Sequence, residues 1–259
     1  MHDKQSPSEA GRHPIVFLGA GPGDPELITL KGRRLLDTAD VVVYAGSLVN
    51  AALLDGVKAT CHDSAPLDLE AIMELLAQGY AQGQRVVRLH TGDPAIYGAI
   101  REQMQWLDAR QIPYEVVPGV SSAFASAAAL KIEFTVPEVT QTVIFTRQAG
   151  RTPVPERESL RNLARIQGTM CIFLSVSMID TVVADLIGGG YPPETPIAVV
   201  EKASWPDQQI VRGTLADIGE TVKASQIRKT AMIVVGPALA RESTIASKLY
   251  DAAFSHEYR

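Results

Sequence analysis

The chain has 259 residues, 46% of them hydrophobic, and a formal net charge of −5 at neutral pH. That length and apolar content suit two domains, each with its own core. The acidic balance excludes a nucleic-acid footprint, and no apolar run approaches the length of a membrane span. The two cysteines and the scattered histidines form neither a disulfide framework nor a metal-ligand spacing.

Residues 1–13 are polar and lack the apolar stretch of a signal peptide, so they read as a leader. The first strand, 15–19, opens on the apolar run Ile15-Val16-Phe17-Leu18, as a strand buried on both faces requires. It runs straight into Gly19-Ala20-Gly21-Pro22-Gly23-Asp24-Pro25, a loop both bare and stiff. A loop of this kind, at the carboxyl end of a strand in an α/β sheet, is where ligands are usually held. A dinucleotide is disfavoured. The third glycine position of that fingerprint is Asp24, and the prolines delay the helix to about Thr29. The second strand ends in Tyr44-Ala45-Gly46 with no acid for a ribose, and no P-loop string occurs. A tight turn with no ligand stays open on this motif alone.

Further strands are expected at 41–44, 57–61, 85–90 and 114–117, alternating with helices near 30–39, 68–82, 98–110 and 121–130. This rhythm predicts a mostly parallel sheet covered by helices. Two more bare loops follow strands: Thr91-Gly92-Asp93-Pro94-Ala95-Ile96-Tyr97-Gly98 and Pro118-Gly119-Val120-Ser121-Ser122. Residues 131–141 read as a connection. A second series follows: strand 142–147, helix 157–166, strand 169–174, helix 178–187, strands 196–201 and 208–213, helix 214–224 and strand 231–235. The pair 196–213 reads as antiparallel about a Trp205-Pro206-Asp207 turn. The expected organisation is an α/β domain over 14–135, a second over 136–240, a helical tail over 241–259, and a ligand cleft between the domains.

Taken together, Gly19–Asp24 with Leu27-Ile28-Thr29, Thr91–Pro94, Val117–Val120 and Thr195–Val200 resemble, in order, the motifs of the S-adenosylmethionine-dependent tetrapyrrole methylases. The resemblance runs from about Ile15 to Ala240. Val43–Val49 and Ala203–Gln208 look like the branch that methylates precorrin-4 at C11 in cobalamin biosynthesis. It implies a two-domain α/β fold, S-adenosyl-L-methionine as donor with S-adenosyl-L-homocysteine as product, a tetrapyrrole substrate and a homodimer, while the composition itself leads to the expectation of a cytoplasmic enzyme without a protein-bound metal. Carried over by position, the donor meets Pro22, Gly92, Asp93, Ile96, Ser121 and Ser122, then Leu174, Ala198 and Ala203 from the second domain. Members that act on uroporphyrinogen carry an acid, assigned as proton acceptor, where this chain has Ala45; its absence favours the later substrate, metal-free or cobalt-containing. No catalytic acid or base is assigned, since the macrocycle's own nitrogens supply the electron push. His90 and Tyr97 read equally well as substrate contacts and as packing residues. Arg157, Arg161 and Arg165 read as a solvated helix stripe, whereas Arg147 and Arg151, following a strand end, are expected to hold substrate carboxylates.

Overall fold

A computed structural model describes residues 13–240, so the expected leader (bar His13) and the tail over 241–259 lie outside the described residues. The chain packs as two units. The first runs to Ser122 and takes in Ser204–Pro206; the second holds Ala123–Ala203 and the chain from Asp207.

The first unit is built on β1 (Ile15–Gly19), α1 (Leu30–Asp37), β2 (Val41–Tyr44), β3 (Thr60–Asp63), α2 (Leu69–Ala81), β4 (Val86–His90), α3 (Ile100–Asp108) and β5 (Tyr114–Val117). Its strands are all parallel, in the order β3-β2-β4-β1-β5. Both faces of the sheet are covered, which is why β1 and β2 are largely apolar runs, while β4 interrupts its own with the buried Arg88 and His90. Val16, Leu18, Val42, Leu89 and Val117 fill one side, and Ile15, Phe17, Val43, Met73, Leu76 and Leu107 the other. Helices α1 and α2 start at side-chain caps. Thr29 accepts from the Gly32 amide at 3.0 Å, and Asp68 from the Ala71 amide at 2.9 Å. The third strand lies at Thr60–Asp63 rather than 57–61, because it is a largely exposed edge strand without an apolar run to mark it.

The second unit holds α4 (Ser122–Leu130, its first residue counted with the first unit), β6 (Val143–Arg147), α5 (Leu160–Leu163), β7 (Thr169–Phe173), α6 (Ile179–Gly189), β8 (Pro196–Glu201), β9 (Gln209–Thr214), α7 (Ile218–Ala224) and β10 (Ala231–Val235). Its order is β6-β7-β10-β8-β9, parallel between β6 and β7 and antiparallel elsewhere. The expected antiparallel pair is therefore present as β8 and β9. Helix α4, placed by sequence with the first domain, packs with the second. Ala123, Ala125 and Leu130 join Phe134, Cys171, Ala198, Val200, Met232 and Val234 in one buried cluster. The helix read over 157–166 is broken into two 3-10 turns flanking the four-residue α5. Ser159 is the cause: its extended backbone interrupts the helix, and its hydroxyl caps the Asn162 amide at 3.4 Å. Arg157, Arg161 and Arg165 consequently share no continuous helix.

Candidate functional site

The carboxyl ends of β4, β1 and β5 lie side by side, and the three bare loops leave the sheet from them. They are tied backbone to backbone. The Ala20 amide donates to the His90 carbonyl at 2.7 Å, while Gly21 and Gly92 exchange both bonds, at 3.3 and 2.7 Å. A Cβ on Gly19 would stand 2.6 Å from Gly119 Cα and 2.7 Å from the Gly92 carbonyl oxygen. Gly19 and Gly119 are therefore glycines because three strand ends approach too closely for side chains. Gly92 differs. It lies at φ +61°, and a Cβ there would be 3.8 Å from the nearest atoms, Ser121 Cα and the Ser122 amide nitrogen. What Gly92 requires is the left-handed backbone, not clearance.

Asp93 fastens the second loop to the third. One carboxylate oxygen accepts from the Ala95 amide at 2.8 Å, the other from the Gly119 amide at 2.9 Å. Asp93 thus does more than form an Asp-Pro turn, since it joins two of the strand-end loops. Pro22, Gly92, Asp93, Ile96, Ser121 and Ser122 are all brought to this one edge, with Pro22, Gly92 and Ser121 buried and the others half-buried.

Three residues to which sequence reasoning gave no site role hold the first loop. The Trp205 indole N–H donates to the Pro22 carbonyl at 2.9 Å, and Asn50 Nδ2 donates to the Gly23 carbonyl at 2.8 Å. The Asp24 amide donates to Ser204 Oγ at 3.0 Å. Gly23 lies under the indole, so that an added Cβ would fall 2.8 Å from Cγ and nearer still to Cδ1 and Nε1. Ser204–Trp205 is the turn between β8 and β9, and nothing local in it points to residues so far back in the chain.

In the second unit the expected donor contacts are mixed. Leu174 follows β7 at φ +56° with 69% of its surface exposed, a strained and open position for an apolar side chain. Ala198 lies in β8 between β9 and β10, wholly buried in the cluster under α4. Ala203 is 5% exposed and belongs to the same cluster. Arg147 is spent on its own loop, donating to the carbonyls of Gln148, Thr152 and Pro153 at 3.4, 3.1 and 2.8 Å. Arg151 is exposed near the middle of that loop.

Below the edge lies a buried polar cluster. The Arg88 guanidinium is 6% exposed and faces neutral partners, the Val43 carbonyl at 3.1 Å, Ser64 Oγ at 3.0 Å and Gln103 Oε1 at 3.3 Å. Burial draws it down to about 10, so it stays charged at neutral pH. His90, 5% exposed and 6.0 Å from the Phe17 ring, is pushed down to about 3, by burial first and by the Arg88 charge second. Its Nε2 has no hydrogen-bond partner. His90 is a neutral packing residue here, and not a proton donor at physiological pH. Because its folded value is depressed, the unfolded chain takes up a proton between pH 6.5 and about 3 that the folded chain refuses. Stability therefore falls as the pH drops through that window. In His90→Gln this contribution is absent, and thermal midpoints measured from pH 7 to 4 are expected to decline less steeply than in the parent.

Comparison with known proteins adds the following. The model of the Tetrapyrrole (Corrin/Porphyrin) Methylases matches residues 14–219. The chain is 58% identical to the cobalt-precorrin-4 C(11)-methyltransferase of Methanocaldococcus jannaschii over 95% of both chains. It is 51% identical to the precorrin-4 C(11)-methyltransferase of Pseudomonas aeruginosa, over 95% of this chain and 98% of that one. Its fold superposes on the X-ray structure of a cobalamin biosynthetic enzyme, cobalt precorrin-4 methyltransferase, with a TM-score of 0.86 at 48% identity, covering 88% of this chain and 96% of that one. A uroporphyrin-III C-methyl transferase from Thermus thermophilus, complexed with S-adenyl homocysteine, gives a TM-score of 0.75 at 30% identity, over 88% and 99%.

Proposed function

This chain belongs to the tetrapyrrole (corrin/porphyrin) methylases, and we propose that it transfers a methyl group from S-adenosyl-L-methionine to C11 of precorrin-4, giving precorrin-5 and S-adenosyl-L-homocysteine. The observation that carries the reading is the bare, locked edge formed by the ends of β4, β1 and β5. It offers closely packed backbone, hydroxyls and one carboxylate already tied to two backbone amides, but no phosphate cradle. A 3-10 turn over Pro25–Leu27 separates the first loop from α1, so α1 does not start directly from that loop. A nicotinamide oxidoreductase would need that helix start, and an acid where the chain has Ala45. A nucleoside sulfonium needs neither.

When bound, the donor supplies an electrophilic methyl group on sulfur. Pro22, Gly92, Asp93, Ile96, Ser121 and Ser122 are assigned to hold it. Asp93 acts by fixing the loops, since both its oxygens already receive backbone amides. Orientation is the main catalytic contribution, of the kind that gives about 7–11 kcal/mol in well-aligned reactions. No side chain at this edge is poised as a base. Cobalt-precorrin-4 is the second reading, supported by the name of the relative at 58% identity. Incubating the purified protein with labelled donor and each macrocycle in turn tests both. Turnover of uroporphyrinogen III alone would overturn them.

The acidic arms of such a substrate need positive charge. Arg151 is assigned to them, and Arg147 keeps the loop beneath it in shape. Arg151→Ala is expected to raise the Michaelis constant for the tetrapyrrole about three- to tenfold at low salt, an effect that fades at high salt. Arg147→Ala should act independently of salt, because what it removes is bonds to carbonyls. The same reading includes a cytoplasmic homodimer, which sedimentation of the purified protein checks. No helix among the described residues is long and apolar enough to cross a membrane.

A further inference from the structure

We propose that the turn between β8 and β9 is a clamp for the methyl donor, with Trp205 and Ser204 as positioning residues that act through the loop Pro22–Asp24. This rests on the donor reading of that loop. Its backbone is held at every residue from Gly21 to Asp24. Gly21 is tied to Gly92, the Pro22 carbonyl to the Trp205 indole, the Gly23 carbonyl to Asn50, and the Asp24 amide to Ser204. Two of these four restraints come from one dipeptide that lies far away in sequence.

The turn is built for more than reversing the chain. A hairpin closes with two to five residues, whereas residues 202–208 separate β8 from β9. Lys202 and Ser204 both take left-handed backbone, at φ 48° and 70°. Non-glycine residues adopt such geometry when their surroundings impose it. Lys202 and Asp207 form an ion pair across the turn. The outcome places Ser204–Pro206 in the first unit although both flanking strands belong to the second. Gly23 has no side chain because the indole occupies that space. Removing the indole frees the Pro22 carbonyl and lets the loop drift from Gly92, so donor affinity falls while the sheet beneath stays intact.

The test is a double-variant cycle read by calorimetry with S-adenosyl-L-homocysteine. Trp205→Ala and Gly23→Ala are each expected to weaken binding about tenfold. The combined variant should be no weaker than Trp205→Ala alone, because the added methyl then meets empty space. Trp205→Phe keeps the ring and loses only the N–H, and should fall between parent and Trp205→Ala. Kinetically, the Michaelis constant for the donor rises while that for the tetrapyrrole holds. The chain has two tryptophans. In a Trp106→Phe background, fluorescence from Trp205 should shift on titration with S-adenosyl-L-homocysteine. Affinity within twofold of the parent in Trp205→Ala, or losses that multiply in the double variant, would overturn the clamp. So would equal rises in both Michaelis constants, which mark general loosening. A parent that fails to bind S-adenosyl-L-homocysteine overturns the donor reading itself.

Discussion

Gly119→Ala is expected to abolish binding of S-adenosyl-L-homocysteine and to lower the unfolding free energy by about 3 kcal/mol, the upper end of overpacking costs. The added Cβ would lie 2.8 Å from Gly19 Cα and 3.0 Å from the Gly19 carbonyl carbon, and would overlap the Gly92 carbonyl oxygen. Every one of these is a backbone atom. Flexible side chains could swing aside, but Gly19 ends a strand that pairs with β4 on one side and β5 on the other. The strain must therefore spread into the ladder or push the three loops apart, and either result dismantles the edge. Gly150→Ala is the control, since its Cβ would make ordinary contacts with Met178 at 3.5 Å. It should stay within about 0.5 kcal/mol of the parent. Urea denaturation and calorimetry on the two variants check the contrast.

Asp93→Ala should weaken donor binding about ten- to a hundredfold, chiefly by releasing the second loop from the third. The carboxylate joins the second and third loops through a side chain. Its removal leaves the part-buried Gly119 amide without its acceptor, a loss of the kind that costs about 1–3 kcal/mol when shielded from water, while the exposed Ala95 amide turns to solvent. Asp93→Asn retains one acceptor and turns an N–H toward the other amide. It should lose roughly half as much in free energy. Calorimetry with S-adenosyl-L-homocysteine, together with thermal midpoints, separates the two variants. If Asp93→Asn binds as the parent does, the carboxylate is no fastener and the loops are held by their glycines alone.

The legible parts of the chain are those where local chemistry and tertiary role coincide. Ala231–Val235 is a short run of apolar, mostly β-branched or sulfur-bearing residues, and it is a strand at those limits. The glycine loops announce themselves because close backbone approach leaves a compositional trace. Other features leave none. Helix α4 is an alanine-rich segment that would suit either unit, and only the partners of Ala123 and Leu130 decide which. Arg147 at a strand end looks the same whether it awaits a carboxylate or folds back onto Gln148, Thr152 and Pro153. Ala198 matches a donor motif by position, but burial between two strands is a property of the sheet and not of the residue. The glycine at 23 was visible, though not its reason, because the indole that fills its place comes from Trp205.

That pairing also sets an order of events during synthesis. Pro22 and Trp205 are 183 positions apart, and Asp24 and Ser204 are 180 apart. At about 5–20 residues per second, a ribosome takes ~10–40 s to cover that span. The five strands of the first sheet are all made by Val117, so that sheet has its sequence in hand long before its first loop meets the turn that fastens it. The nascent chain thus has its first loop held by Gly92 and Asn50 alone until the β8–β9 turn, with Ser204 and Trp205, has cleared the exit tunnel.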